Sequence, residues 1–228
     1  GIISDIHANL AALQAVLTDL GSVDALWCLG DVVGYGPDPN PCVEIVRRQV
    51  QVCIPGNHDW ASIGKIGVKD FNDDAAQACL WTRQQLLPAN ADFLAGLPQT
   101  WQEGDFTLAH GSPGNPLWEY VLSASHARAQ FDRFPGRYCL VGHTHIPMIF
   151  QKEEEAKGRV RAITPQANHA FSLEKGRMII NPGSVGQPRD GRTEAAYAIL
   201  DTDKALIEHR RVAYPIEETQ NRMVQAGL

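Results

Sequence analysis

Apolar residues in this chain fall into short runs rich in β-formers, separated by stretches in which they recur at helical spacing. Gly1 to Ser4, Ala25 to Leu29, Gln51 to Ile54, Phe106 to Ala109, Tyr138 to Val141 and Met178 to Ile180 read as strands. After the first, Asn9 is placed to cap a helix carrying Leu10, Leu13, Leu17 and Leu20 on one face, and Gly21 ends it. Pro41 opens a second helix through about Gln49. Further helical patterns cover Asp70 to Leu87 and Ala91 to Leu94, with a polar, helix-permissive segment from Val121 to Phe134. Thr100 to Gln102 and Phe106 to Ala109 form a predicted hairpin turning near Gly104. Ile146 to Phe150, Arg159 to Ile163 and Ala170 to Leu173 read as strands around a charged turn from Lys152 to Lys157. Ala195 to Leu200 and Ala205 to Val212 predict another hairpin, and a final helix starts at Pro215. With no repeat or linker in view, the expectation is a single α/β domain over residues 1–228.

Composition narrows the class of protein. A hydrophobic content of 44% with 20% charged residues suits a globular chain with a sizeable core. The net charge of −6 argues against a nucleic-acid or anionic-membrane surface. No apolar run is long enough to span a membrane, and no signal peptide is visible. The five cysteines are scattered without a C-x-x-C pair, the pattern of reduced core thiols in a cytoplasmic protein.

The residues just past the predicted strands carry the candidate chemistry. Asp5 and His7, Asp31, Asn57 and His58, His110, and then His143 and His145 each follow an apolar run within a few residues. Sites in open α/β sheets form outside the carboxyl ends of strands. Gly142 lets the backbone leave the Tyr138–Val141 strand and deliver both following histidines. Leaving His58 aside, seven ligand-type side chains exceed what one tetrahedral ion needs. Two ions roughly 3.5–4 Å apart, sharing a carboxylate and a hydroxide, would use them all. The His, Asp and Asn mixture suits Mn²⁺, Fe²⁺, Zn²⁺, Co²⁺ or Ni²⁺ better than Ca²⁺ or Mg²⁺, and Mn²⁺ is favoured. Such a cationic centre would draw a phosphate despite the acidic surface.

In order and in kind, Asp5-Ile6-His7, Gly30-Asp31, Gly56-Asn57-His58-Asp59, His110-Gly111 and Gly142-His143-Thr144-His145 resemble the motif set of the calcineurin-like metallophosphoesterases. Asn181-Pro182-Gly183-Ser184 extends the resemblance to their small bacterial and archaeal phosphodiesterase-like branch. The resemblance implies two packed mixed β-sheets flanked by helices, a four-layer α/β/β/α sandwich. It also implies that Asp5, His7, Asp31 and His145 hold a first metal. Asp31 would bridge to a second, completed by Asn57, His110 and His143, and His58 would be the catalytic non-ligand histidine. The implied reaction is hydrolysis of a small phosphorylated substrate by in-line attack of a metal-bridging hydroxide. Many members carry an Asp three residues after the bridging one that orients the catalytic histidine; this chain has Gly34 there, followed by Tyr35.

Three residues are candidate substrate contacts, each with a plainer reading beside it. Asn9 is also a helix cap, Tyr35 either stacks on a base or packs in its Gly-Pro loop, and Arg189 either clamps a phosphate or pairs with Asp190. A phosphodiester or nucleotide polyphosphate is favoured, because the sequence offers few phosphate clamps. The alternatives are a phosphomonoesterase or protein phosphatase, and a non-catalytic scaffold of the same fold.

Overall fold

A computed structural model of the protein describes residues 1–153 and 158–228. Among these residues, twelve strands form two six-stranded mixed sheets. The first runs β3 (Val52–Cys53), β2 (Trp27–Cys28), β1 (Ile2–Ile3), β11 (Ala195–Asp201), β12 (Leu206–Val212) and β9 (Ala170–Ser172). The second runs β4 (Thr100–Glu103), β5 (Phe106–Ala109), β6 (Tyr138–Leu140), β10 (Arg177–Asn181), β7 (Met148–Lys152) and β8 (Val160–Ile163). Strands β1, β2 and β3 are parallel, as are β5, β6 and β10. Their registers are level, with Ile3 opposite Cys28 and Cys28 opposite Cys53 in one sheet, and Leu108 and Ile180 flanking Leu140 in the other. The loops that leave these six strands therefore emerge together.

Strand alternation explains why the predicted runs are continuously apolar. Ile2, Leu108, Leu140, Ile180 and Ile207 meet in a core between the sheets. Their neighbours point outward. Ile3 and Tyr197 pack under α1 (Leu10–Leu20) and α2 (Pro39–Gln49) through Leu13, Val16, Val43 and Val46. Cys139, Val141 and Ile179 pack under α6 (Ala124–Gln130) through Ala127, next to Phe131. The four-layer α/β/β/α arrangement is as expected.

Several boundaries move for local reasons. Helix α2 begins at Pro39, two residues before Pro41, because both prolines fit a first turn whose N–H groups need no helical partner. Asn72 accepts from the backbone N–H of Ala75 and so starts α4 at Asp73 (Asp73–Gln85) rather than at Asp70. Pro88 opens α5 (Pro88–Gly96), longer than the Ala91 to Leu94 piece anticipated. Ser123 caps α6, confining helix to the middle of the Val121 to Phe134 segment. An unanticipated short helix, α3 (Asn57–Ser62), starts at the candidate ligand Asn57. The terminal helix α7 (Ile216–Ala226) follows Pro215. Strand β7 runs through Lys152, and residues 154–157 of the expected charged turn lie outside the described residues. No helix among the described residues is long and apolar enough to cross a membrane.

Candidate metal centre

The loops past the parallel strands are held in a conformation that L-residues rarely adopt. Asp5, His7, Asp31, His143 and His145 all have positive φ, between 48° and 63°. Such strain persists only where surrounding structure over-determines it, and it concentrates at functional sites. Here the restraint is a lattice of loop-to-loop hydrogen bonds. Asp5 N–H donates to Gly30 O, His7 N–H to Asp31 O, and Gly142 N–H to His110 O. His143 N–H donates to Asp5 Oδ1 at 3.1 Å, and His58 N–H to Asp31 Oδ1 at 2.9 Å. Gly142 is required by close approach, since a Cβ there would lie 2.9 Å from Asp5 Oδ2 and collide with Ser4 Oγ.

Two buried groups of ligand-type atoms result, Asp5 with His7, Asp31 and His145, and Asp31 with His110 and His143. Within each group the atoms lie within 4.8 Å of one another, and Asp31 belongs to both. The tautomers are fixed from outside. His7 Nδ1 donates to Val33 O (3.3 Å), His110 Nδ1 to Leu29 O (2.8 Å) and His145 Nδ1 to Gln187 O (2.6 Å). A carbonyl only accepts, so each ring, when neutral, turns a bare Nε2 lone pair inward. His110 Nε2 stands 3.2 Å from Asp31 Oδ2. Asp31 Oδ2, Asn57 Oδ1, His110 Nε2 and His143 Nε2 are buried with no hydrogen-bond partner. Asp31, Asn57 and His143 line one cleft, and His110 joins Asp31 and His143 in one ligand group, a donor set that fits divalent cations.

The electrostatics agree. Burial lowers His143 and His145 to about 3 and His7 well below its usual value, which keeps their lone pairs free. Burial raises Asp5 to about 7. Burial also works against charge on Asp31 and His110, but their mutual attraction wins. It holds the Asp31 carboxyl well below its usual range and lifts His110 to about 10. In the metal-free chain this attraction favours a proton on His110, and a cation bound beside Asp31 would replace it.

His58 is buried beside this cluster and its ring takes no backbone carbonyl; its Nδ1 lies 3.4 Å from Cys79 Sγ. Asp59, the following carboxylate, does not reach the ring. It accepts from Val33 N–H (3.0 Å) and Gly56 N–H (2.9 Å), capping α3. A cleft of about 200 Å³ opens over Asp31, Asn57, His58, His143 and His145, walled by Tyr35, Phe71, Trp118, Tyr120 and Arg189. Tyr120 stacks on His143 with ring centroids 4.0 Å apart. Exposed Arg189 donates to Gln187 Oε1 (2.8 Å) and Tyr35 OH (3.4 Å), while Asp190 pairs with Arg211 rather than with it. Asn9 is occupied inside the protein. Its Oδ1 accepts from Ala12 N–H and Thr219 Oγ1, and its amide donates to Gly186 O and Tyr214 OH, which leaves no atom free for substrate.

The family model described as "Calcineurin-like phosphoesterase superfamily domain" matches residues 1–205. The chain belongs to that superfamily. It is similar to a metallophosphoesterase of Sphaerobacter thermophilus, at 46% identity and a TM-score of 0.91, covering 100% of this chain and 93% of that one. The uncharacterized protein MJ0912 of Methanocaldococcus jannaschii is 37% identical over 100% of this chain and 92% of its own length. A symmetrical bis(5'-nucleosyl)-tetraphosphatase of Erwinia tasmaniensis is 29% identical over 56% of this chain and 48% of its own.

As a calcineurin-like phosphoesterase the chain is a phosphate-ester hydrolase of a divalent-metal-dependent family, and it carries the ligand-type residues such an enzyme needs. Sequence reasoning missed Cys79, Phe71, Trp118 and Tyr120, which reach the centre from α4 and from loops without motif or periodicity. The sequence offered Asn181 through the Asn181-Pro182-Gly183-Ser184 motif and gave its side chain no bracing role. In the fold Asn181 Nδ2 donates to Gly142 O (2.6 Å) and Thr144 Oγ1 (3.0 Å), tying down the loop that carries His143 and His145. The three histidines outside the set are also accounted for. His209 is buried and bonds Asn181 O at 2.9 Å, whereas His126 and His169 are exposed.

Proposed function

We propose that the chain hydrolyses phosphodiesters or nucleotide polyphosphates with two divalent cations. The observation that carries this reading is the sharing of Asp31 between two buried ligand groups. Asp5, His7, Asp31 and His145 would hold the first ion, and Asn57, His110 and His143 would join Asp31 around the second. Bound there, the ions supply positive charge for the phosphoryl oxygens and acidify a water nucleophile. Mn²⁺ is the favoured occupant, because imidazole, carboxylate and amide oxygen together suit a borderline ion.

The chain's own groups do the rest. His58 presents its ring to the cleft, where it hydrogen-bonds a phosphoryl oxygen or protonates the departing one. Arg189 is the cleft's one cationic wall residue and swings its guanidinium from Gln187 and Tyr35 to a phosphate oxygen. With a single such clamp, a monoester dianion gains less than a substrate whose second arm lies along Tyr35, Phe71, Trp118 and Tyr120. These rings are the wall that favours a nucleoside or aryl arm. The resemblance to tetraphosphatases over part of the chain points the same way. Five free, buried cysteines support a reducing, cytoplasmic setting.

The test is turnover with Mn²⁺ of bis-p-nitrophenyl phosphate, p-nitrophenyl phosphate and diadenosine tetraphosphate, alongside elemental analysis. Diester or dinucleotide turnover above monoester turnover, with two ions per chain, is expected. A faster monoester rate would reverse the substrate assignment.

A further inference from the structure

Three inward-facing imidazoles of the centre are steered from behind by a backbone carbonyl. Val33, Leu29 and Gln187 carbonyls receive the Nδ1 protons of His7, His110 and His145. His58 has instead a side chain from another helix, the Cys79 thiol on α4, 3.4 Å from Nδ1. Residue 34 leaves no room for a carboxylate. Gly34 has φ +90°, and a Cβ built on it would lie 2.5 Å from His58 Nδ1 and 2.9 Å from His58 Cβ. The ring therefore fills the space that a side chain at residue 34 would need. Asp59 is turned away into the α3 cap. Phe71 meets the ring edge-on at 4.9 Å and Tyr35 lies at 4.6 Å, so apolar packing limits the ring's tilt without choosing its tautomer.

We infer that Cys79 is the positioning residue for His58: its S–H donates to Nδ1 and thereby places the ring proton on Nε2. This rests on the reading of His58 as the substrate-facing histidine. A neutral thiol is both a weak donor and a weak acceptor, and Cys79, fully buried, remains the neutral thiol that such a bond requires. With Nδ1 engaged as the acceptor, the one N–H of the neutral ring is at Nε2. A carboxylate partner would do the opposite, drawing a proton to Nδ1 and favouring the imidazolium. The thiol holds His58 as a neutral hydrogen-bond donor toward a phosphoryl oxygen. Cys79 Sγ also lies 4.0 Å from the His58 carbonyl, a longer contact than that to Nδ1, and the thiol touches neither substrate nor candidate ligands.

The experiment combines Cys79→Ala, Cys79→Ser and His58→Ala, singly and as the Cys79→Ala/His58→Ala double variant, with ¹⁵N imidazole shifts recorded on metal-free wild-type protein. The expected His58 spectrum is that of the Nε2–H tautomer. Cys79→Ala should lower kcat about 5- to 10-fold, the size of one neutral hydrogen bond, with KM and metal content unchanged. Cys79→Ser should recover most of that loss. In the His58→Ala background the Cys79 substitution should add nothing. An Nδ1–H spectrum in wild type overturns the inference even if Cys79→Ala does not fold, and so does an additive double variant. If His58→Ala is deficient while Cys79→Ala matches wild type, this inference fails alone. If His58→Ala itself matches wild type, the role proposed for His58 fails with it.

Discussion

His7 and His145 face one another with their Nε2 atoms 3.0 Å apart, although each ring already gives its Nδ1 proton to a carbonyl. Two bare lone pairs at that distance repel unless a cation lies between them. The chain brings these rings together from positions 138 residues apart. The contact is therefore shaped as one half of a coordination shell. Adding Mn²⁺ to metal-free protein should raise Tm, with a stabilisation of about 2.7 kcal/mol when the ion is at 100 times its Kd. Differential scanning calorimetry checks this. An unmoved Tm at millimolar Mn²⁺ would mean that something other than a cation holds the two rings together.

Asp31→Asn keeps the shape of the proposed bridging side chain and an acceptor for His58 N–H, but removes the charge shared by both groups of ligand-type residues. Elemental analysis should show fewer than two ions per chain, and kcat/KM should fall on the order of 10²- to 10³-fold. Retention of both ions at full rate would reject the bridging role.

Asn181 offers a test that leaves every candidate ligand in place. Its amide is buried and braces Gly142 O and Thr144 Oγ1, while its Oδ1 accepts from Gly183 N–H at 2.8 Å. Asn181→Ala frees the His143–His145 loop to relax from its positive-φ conformation. Mn²⁺ affinity by calorimetry should drop about 10- to 100-fold, as is usual for outer groups that orient ligands. A change confined to thermal stability, with affinity intact, would make Asn181 a purely architectural residue.

What the sequence made legible, and what it did not, follows from the range of each interaction. Tyr138 to Val141 could be read as a strand because Tyr138 and Leu140 face the inter-sheet core while Cys139 and Val141 face the helix layer, so all four are apolar. Candidate ligands at such strand ends are local features, each adjacent to its own run. Helix α3 was missed because six residues, NHDWAS, carry no amphipathic stripe and its cap is a carboxylate two positions past Asn57. The thiol beside His58 comes from 21 residues away and depends on how α4 packs against α3. Asn9 read as a candidate substrate contact because its partner Thr219 is 210 residues distant, on the terminal helix.

The pH dependence of the metal-free protein follows from the sign of each shift. Burial holds His58 and His209 at about 4, and His143 and His145 at about 3, all below the ordinary 6.5. The unfolded chain therefore binds their protons first. Their contribution to stability is complete above pH 6.5 and is lost as pH falls toward the folded values. Asp5 and Asp59, raised by burial from 3.8 to about 7, act oppositely: their contribution is complete below 3.8 and is lost as pH rises through 7. Between pH 4 and 6.5, these four histidines and His7, which burial also lowers, oppose two carboxyls, so the unfolded state binds more protons and stability rises with pH. Above pH 6.5 the histidine gain is exhausted. His110, raised to about 10 chiefly by Asp31 against the effect of burial, then loses its contribution as it deprotonates. Urea unfolding of metal-free protein should give greatest stability near pH 6.5–7, falling on both sides. Metal should help most on the alkaline side, where Asp5 is ionised and needs a counter-charge. Stability that climbs on acidification from pH 6.5 to 4.5 would contradict the burial of these neutral histidines.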